Sequence, residues 1–417
     1  MKTAFPKLRF PEFKDAGGWV NTPLDNALTP VVREVEKPSA VYTGLGVRSH
    51  GKGTFLKKNE DPEKNSMSCL YVVKPDDLIV NITFAWEGAI AIAKESDDGS
   101  LVSHRFPTYV FNQEITLPSF FQYIILNKRF IYDLGVISPG GAGRNRVLNK
   151  KDFLKLFRYL PSIPEQQKIA ECLTSLDELI EAEGQKLETL RDHKKGLMQN
   201  LFPAEGQTLP KFRFPEFRDA GEWVKKRIGD EDFATLHKGK GVSKSDITAD
   251  GTVPCIRYGE LYTHYGEMIQ AVLSKTNSPI SSLFFSQEND VIIPASGETK
   301  IDIATASCVL ASGVALGGDL NVIRSNHNGV FLSYYLNGPL KWEIARVAQG
   351  NSVVHLYPGQ IMKIELFVPK LSEQRKIADC LSSLDDLITA QSQKIEALRD
   401  HKKGLLQQLF PSAEEMA

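Results

Sequence analysis

The sequence predicts an α/β (α+β) chain in which two globular domains are separated by two long antiparallel helices forming a coiled-coil spacer, organised as a pseudo-two-fold internal repeat. Three observations carry this. A 39-residue segment occurs twice, once in the middle of the chain and once near its end. The apolar residues of both copies recur at heptad spacing, the mark of helices that pack along a seam. The stretches that precede the two copies read as short strands between turns and share almost no sequence with each other.

The duplication sets the domain bounds. Glu165-Gln166-Gln167-Lys168-Ile169-Ala170 returns as Glu373-Gln374-Arg375-Lys376-Ile377-Ala378, and between 165–203 and 373–411 there are 28 identical positions of 39. A second block opens each half: Leu8-Arg9-Phe10-Pro11-Glu12-Phe13 to Trp19 corresponds to Phe212-Arg213-Phe214-Pro215-Glu216-Phe217 to Trp223. The expected layout is a globular domain over 1–160, a helix over 161–203, a second domain over 204–370 and a second helix over 371–417.

In the first helix the seam runs Ile169, Leu173, Leu176, Ile180, Leu187, Leu190, Leu197, Leu201, with polar interruptions at Glu183 and Lys194. The second repeats it with Ile377, Leu381, Leu384, Ile388, Ile395, Leu398, Leu405 and Leu409. Ser162 with Glu165 three residues on is a capping-box pattern for the first start. Phe202-Pro203 and Phe410-Pro411 end both helices, because proline lacks the N–H and clashes with the preceding turn. Each helix would be about 55 Å long, and the partner expected for each seam is the other copy, against the simpler alternative that each packs on its own domain.

The unlike regions, about 20–160 and 224–368, read as α/β globules. Val72-Val73, Leu78-Ile79-Val80, Val291-Ile292-Ile293 and Ile364 to Val368 have strand character. Each region ends with an expected helix, Phe120–Phe130 and Phe331–Arg346, leading to a Gly-rich polar loop: Gly140 to Arg146, and Gln349-Gly350-Asn351-Ser352.

Composition is that of an ordinary globular protein, 42% hydrophobic and 24% charged, with a net charge of −1. An excess of Lys and Arg, the usual announcement of nucleic-acid binding, is absent. Cys69, Cys172, Cys255, Cys308 and Cys380 have no CxxC spacing, which argues against a disulfide framework or zinc cluster and fits a reducing cytoplasm. No apolar run is long enough to span a bilayer, and the first residues lack the apolar stretch of a secretory signal.

Enzyme signatures do not hold. There is no HExxH and no metal-spaced His/Cys/Asp cluster. Gly239-Lys240-Gly241-Val242-Ser243-Lys244-Ser245 lacks the spacing of a P-loop and reads as a flexible basic loop. Pro75-Asp76 followed by Glu87 lacks the close E-x-K lysine of a nuclease, and there is no Pro-Pro-aromatic segment for amino-methyl transfer. Gly317-Gly318-Asp319 is too short for a nucleotide site, and Trp86 reads as core.

The two EQ-x-KIA…LDxLI…RDHKKGL…QxLFP helices, each preceded by Leu160-Pro161 or Val368-Pro369, resemble the specificity subunits of type I restriction–modification systems. Further similar segments are Gly46-Val47-Arg48, Gly51-Lys52-Gly53 and Phe84-Ala85-Trp86-Glu87-Gly88 in the first half. The second half has Ile256-Arg257-Tyr258-Gly259 and Pro294-Ala295-Ser296-Gly297-Glu298-Thr299. The resemblance covers nearly the whole chain. It implies two target recognition domains, each reading one half of a split, asymmetric double-stranded DNA sequence, with the helices setting the gap.

It also implies two modification subunits bringing S-adenosylmethionine and adenine methyl transfer, and two motor-nuclease subunits bringing ATP and Mg. This chain would then hold no catalytic residue, metal or cofactor of its own. The alternatives are a methylation-only or type II-like complex, or, from other classes, a coiled-coil protein-binding scaffold or an unrecognised enzyme.

Base readout uses Arg or Lys on guanine and Asn or Gln on adenine, presented from loops. The candidates in the first domain are Arg48, His50, Lys52, Arg105, Arg144, Asn145 and Arg146. In the second they are Lys238, Lys240, Lys244, Arg257, Tyr258, Lys300, Asn351 and His355. The identical runs Arg191, His193, Lys194, Lys195 and Arg399, His401, Lys402, Lys403 are candidates for docking partner subunits, each weighed against a merely solvated helix face.

Overall fold

A computed structural model describes residues 3–140, 146–350 and 353–412. The chain forms two compact units, Met1–Ala182 with Ile395–Ala417, and Glu183–Lys394. Both long helices are continuous, Ile163–Asn200 and Leu371–Gln408, so each begins in one unit and ends in the other.

The two dissimilar sequences share a core strand order. Unit one has an antiparallel sheet ordered Leu28–Val31, Thr108–Phe111, Leu78–Val80, Ile90–Ile92. Unit two repeats the order with Ala234–Lys238, Leu320–Ser325, Asp290–Pro294 and Ser307–Val309, again antiparallel, and adds Met268–Ile269 at the edge. In unit one the strand Tyr42–Val47 lies parallel to Leu101–Val102 and antiparallel to Thr54–Glu60. Its equivalent, Val253–Ile256, lies parallel to Ala315–Leu316 and antiparallel to Ser274–Thr276. The strands leading into the long helices also correspond. Phe157–Leu160 pairs with Trp19–Pro23, and Glu365–Val368 pairs with Val224–Arg227.

The single helix expected over Phe120–Phe130 is two, Pro118–Ile124 and Lys128–Val136, because the Asn127 side chain caps the second by accepting from the Arg129 N–H. The one expected over Phe331–Arg346 is likewise Gly329–Asn337 and Lys341–Val347, broken at Gly338-Pro339. Asn328 caps the first of these by accepting from the Phe331 N–H.

The ends of each seam are buried in globular cores. In unit one Ile169 and Leu173 of the first helix, and Leu409 and Phe410 from the end of the second, join Trp19, Phe120 and Phe121. Phe410 stacks on Phe120 at 5.4 Å. In unit two Ile377 and Leu381 of the second helix, and Leu201 and Phe202 from the end of the first, join Trp223, Phe331 and Tyr335. Phe202 stacks on Tyr335 at 4.8 Å. Burying each such side chain contributes about 1.5–3 kcal/mol.

Between these ends the helices pair antiparallel through polar contacts. In unit one the Lys402 ammonium meets Asp177, and Tyr123 donates its hydroxyl proton to Asp177 at 3.1 Å. The corresponding set in unit two is Lys194 with Asp385 at 2.7 Å and Tyr334 with Asp385 at 2.5 Å.

The front block of each half holds the start of its helix. Arg9 forks onto Glu165 at 2.7 and 2.6 Å, with the Trp19 indole N–H on the same carboxylate at 3.2 Å. Arg213, Trp223 and Glu373 repeat this at 2.7, 2.8 and 3.3 Å. Glu165, which the sequence suggests for a capping box with Ser162, is held by Arg9 and Trp19.

Candidate nucleic-acid interface

In each unit the topology brings three loop segments together. They are the turn after the strand with the parallel partner, the segment after the central strand, and the connection into the last strand. In unit one these are 48–53, 82–88 and the stretch ending at Leu148. The His50 N–H donates to the Glu87 carbonyl at 2.8 Å and the Gly51 N–H to that of Gly88 at 2.9 Å. The Ser49 hydroxyl donates to the Glu87 carboxylate at 2.9 Å, and the Leu148 N–H to the Ile82 carbonyl at 2.8 Å. His50 has φ of 63°, a left-handed turn residue that swings the hairpin connection onto 84–88.

Arg146 is fixed by donating to the carbonyls of Gly135 and Ser138 at 2.5 and 3.1 Å, and its guanidinium lies 5.3 Å from the Trp86 ring centroid. Trp86 is thus half-buried with a cation on one face, not simply core. Arg48 donates to the Thr54 carbonyl and lies over Phe55 at 4.9 Å, while His50 and Lys52 are exposed. The Arg105 carbonyl accepts from the Ile82 N–H at 3.1 Å, while the residue lines a cleft of about 530 Å³ with Asn59, Lys64 and His104. Arg144 and Asn145 lie outside the described residues.

In unit two the same segments are 257–263, 295–303 and 349–356. The Leu356 N–H donates to the Ala295 carbonyl at 3.0 Å, the exact counterpart of Leu148 and Ile82 in topology. Ser296 pairs with His355, and the Tyr262 hydroxyl donates to the Ser296 carbonyl at 3.1 Å. Lys300 is exposed in the turn that follows, and His355 stacks with Tyr357 at 6.0 Å. Asn351 lies outside the described residues.

The other candidates of unit two converge on a cleft of about 650 Å³ whose lining includes Lys244, Arg257, Tyr258, Gly317, Gly318 and Asp319. Lys238 and Lys240 are exposed close by, since the Gly239 N–H reaches the Leu320 carbonyl and the Lys240 N–H that of Leu316. Gly239 is required there: a Cβ would stand 2.1 Å from the Gly317 carbonyl oxygen. The stretch read as a flexible loop is an ordered turn, in which the Ser243 N–H and hydroxyl both donate to Asp246, at 2.7 and 2.6 Å.

Of the docking candidates, Arg191, His193, Lys195, Arg399, His401 and Lys403 are exposed, whereas Lys194 and Lys402 are engaged by Asp385 and Asp177. Arg191 and Lys195 line an 810 Å³ cleft with Trp342, which is 72% exposed. Sequence reasoning missed Trp342, Glu260 and Asp319. The first could have been suspected from its position just after the Gly338-Pro339 break, the others only from the fold. Among the described residues no group of three or more His, Cys, Asp or Glu side chains could hold a metal ion, and no helix is long and apolar enough to cross a membrane.

A duplicated helical frame that carries two unlike, cation-bearing loop surfaces is the build of a modular recognition protein. The family model for the type I restriction modification DNA specificity domain matches residues 52–192 and 220–399, and the chain belongs to that family. It is similar to the putative type I restriction enzyme MjaX specificity subunit of Methanocaldococcus jannaschii, with 26% identity over 255 residues, 60% of this chain and 57% of that one. It is also similar to the type I restriction enzyme MjaVIII specificity subunit of the same organism, with 23% identity over 275 residues, 63% of each chain. The chain thus spans less than two thirds of the length of these curated relatives. Among solved structures it resembles the type I restriction–modification system S subunit from M. genitalium, with a TM-score of 0.58, 15% identity and coverage of 98% and 99% of the two chains. That likeness is one of fold.

Proposed function

We propose that the chain is the non-catalytic DNA sequence-specificity subunit of a type I restriction–modification enzyme. Its two recognition domains each read one half of a bipartite, asymmetric duplex target, and its duplicated helices set the gap between the halves. The observation that carries this is the pairing of one core strand order with two different sets of loop residues: similar frames present unlike loops, as unlike half-sites require. Half-sites read from one face of a duplex lie about one helical turn, roughly 34 Å, apart. Near-neutral net charge is compatible with this if neighbouring subunits supply most phosphate contacts.

On this reading the exposed members of the two RDHKKGL runs dock modification subunits, two of them for two runs, and motor-nuclease subunits join where the system cleaves DNA. S-adenosylmethionine, ATP and Mg belong to those partners. The same architecture would serve a methylation-only or type II-like complex.

Footprinting of the chain with its modification partner tests the proposal. Two protected patches on one face of the duplex support it, and absence of any protected patch overturns it. The purified chain with S-adenosylmethionine and DNA should transfer no methyl groups unaided.

A further inference from the structure

The lining of one cleft in unit two includes an arginine whose hydrogen-bonding capacity is only partly used. Arg257 directly follows the strand Val253–Ile256, and its side chain is 23% exposed. Its Nε is buried without a hydrogen-bond partner. The Glu260 carboxylate, itself buried, accepts the Arg257 backbone N–H at 2.7 Å and the Ser274 hydroxyl, and stands 3.8 Å from the Arg257 guanidinium. An arginine held this way has lost much of its rotamer freedom while keeping donors for a ligand.

The walls of the cleft limit what that ligand is. Gly317 and Gly318 present backbone without side chains, and a Cβ at Gly317 would stand 2.9 Å from the Val242 carbonyl oxygen. Asp319 is exposed at the same cleft. A carboxylate beside an arginine disfavours a phosphate but suits a base-pair edge that offers acceptors on one base and a donor on the other. In the major groove a G·C pair offers guanine N7 and O6 as acceptors and the cytosine N4 amine as donor. Lys244, exposed at the rim, is a point charge suited to the adjoining backbone.

We propose that this cleft reads one G·C pair. Arg257 donates to guanine O6 and N7, Asp319 accepts from the cytosine amine, Lys244 meets a phosphate, and Glu260 is a positioning residue that holds Arg257. This rests on the DNA-reading function proposed above and assigns one letter of the half-site to named side chains.

The test selects bound duplexes from a random pool with the full chain and its modification partner. The wild type should return a two-part motif, and R257A the same motif with one G·C position randomised. Replacing that guanine by 7-deazaguanine, which lacks the N7 acceptor, should weaken the wild-type complex about 10-fold or more and leave R257A unaffected. E260Q should loosen preference at that position more than at any other position of the motif, a split that a merely structural role would not produce.

The proposal is overturned if R257A weakens binding to all sequences equally and lowers the salt slope by about one, the behaviour of a phosphate contact. It is overturned equally if 7-deazaguanine has no effect on the wild type, a result that does not depend on how any variant folds. A wild-type complex that recovers no motif overturns the functional reading itself.

Discussion

Glu183 and Gln391 occupy the same position in the two copies of the duplicated helix, and they hydrogen-bond to each other. The Gln391 amide donates to the Glu183 carboxylate at 2.6 Å and to its backbone carbonyl at 2.9 Å, while Lys394 donates to the other carboxylate oxygen at 2.5 Å. The polar break in the heptad seam is therefore a specific contact, and the copies differ there because two glutamates would face each other.

Q391E tests this. In the wild type, the Gln391 amide first and Lys394 second hold the Glu183 carboxyl below its ordinary value. That contribution is complete above the usual glutamate range and is lost as pH falls through the lowered value. Q391E should reverse the sign of that contribution, because two adjacent carboxylates are relieved by protonation. Urea midpoints measured from pH 6 down to 3 should fall more steeply for the wild type than for the variant. Parallel curves would show that the contact contributes nothing.

Lys194 is only 16% exposed, between Asp385 and Glu267. Burial pulls its pKa down, but the two carboxylates outweigh burial and raise it. The stabilisation is full below the ordinary lysine value of about 10.5 and is lost as pH rises through the higher folded value. Lys194→Met should cost about 2 kcal/mol at neutral pH by leaving Asp385 and Glu267 without their cation. Thermal unfolding would measure it, and a loss under 0.5 kcal/mol would mean that solvent screens the pair.

His327 lies against Phe233 at 4.6 Å and meets the Gln374 amide through Nδ1 at 2.9 Å. Burial, then Lys226, lowers its pKa. The neutral ring is favoured in the folded state, so stability is full above the ordinary value of about 6.5 and falls as pH drops through the depressed one. His327→Asn keeps an acceptor without the titration. It should flatten the pH dependence of unfolding below pH 6.5, and an unchanged slope would assign that sensitivity elsewhere.

How much of this was legible in the sequence depends on what each part is made of. The long helices were, because a heptad seam and two Phe-Pro stops are local signals. So were the strands Leu78–Val80 and Asp290–Pro294, as short apolar runs between turns. The break at Asn127 was not, since an asparagine cap competes with an apolar run that looks helical throughout. The link between the duplicated front block and Glu165 or Glu373 was visible only as two repeats. Nothing in the spacing says that Arg9 reaches across 156 positions. Neither was the common core strand order of the two halves legible, because strand order is set by pairing between distant segments and leaves no shared residues. Candidate cations were recognisable by type, but the meeting of Lys244 and Arg257 on one cleft, with Asp319 in its lining and Glu260 beneath Arg257, came from the fold.

Deleting one heptad from each long helix at matching positions would shorten both by about 10 Å, close to three base pairs at 3.4 Å each. If the chain reads a two-part DNA target as proposed, the permitted gap should change or activity should vanish, with the half-site letters unchanged. Methylation mapping of DNA from cells carrying the variant reads both at once. Altered letters would separate the helices from any role as a ruler.

Glu165→Ala should strip Arg9 and Trp19 of a shared acceptor whose side chain is 1% exposed, costing about 3 kcal/mol. Glu373→Ala should cost as much in the other unit. Differential scanning calorimetry would show either loss, and unequal losses would mean that the two copies are no longer equivalent.

Gln166 and Gln374 hold their globules by the main chain: Gln166 accepts from the Leu117 N–H and donates to the Ile115 carbonyl, and Gln374 accepts from the Asn328 N–H. Gln374 also meets the His327 ring, so of the two only the Gln166 socket is made wholly of main-chain partners. The side chains at 115 and 117 can therefore change without breaking the hydrogen bonds by which the first long helix holds that segment.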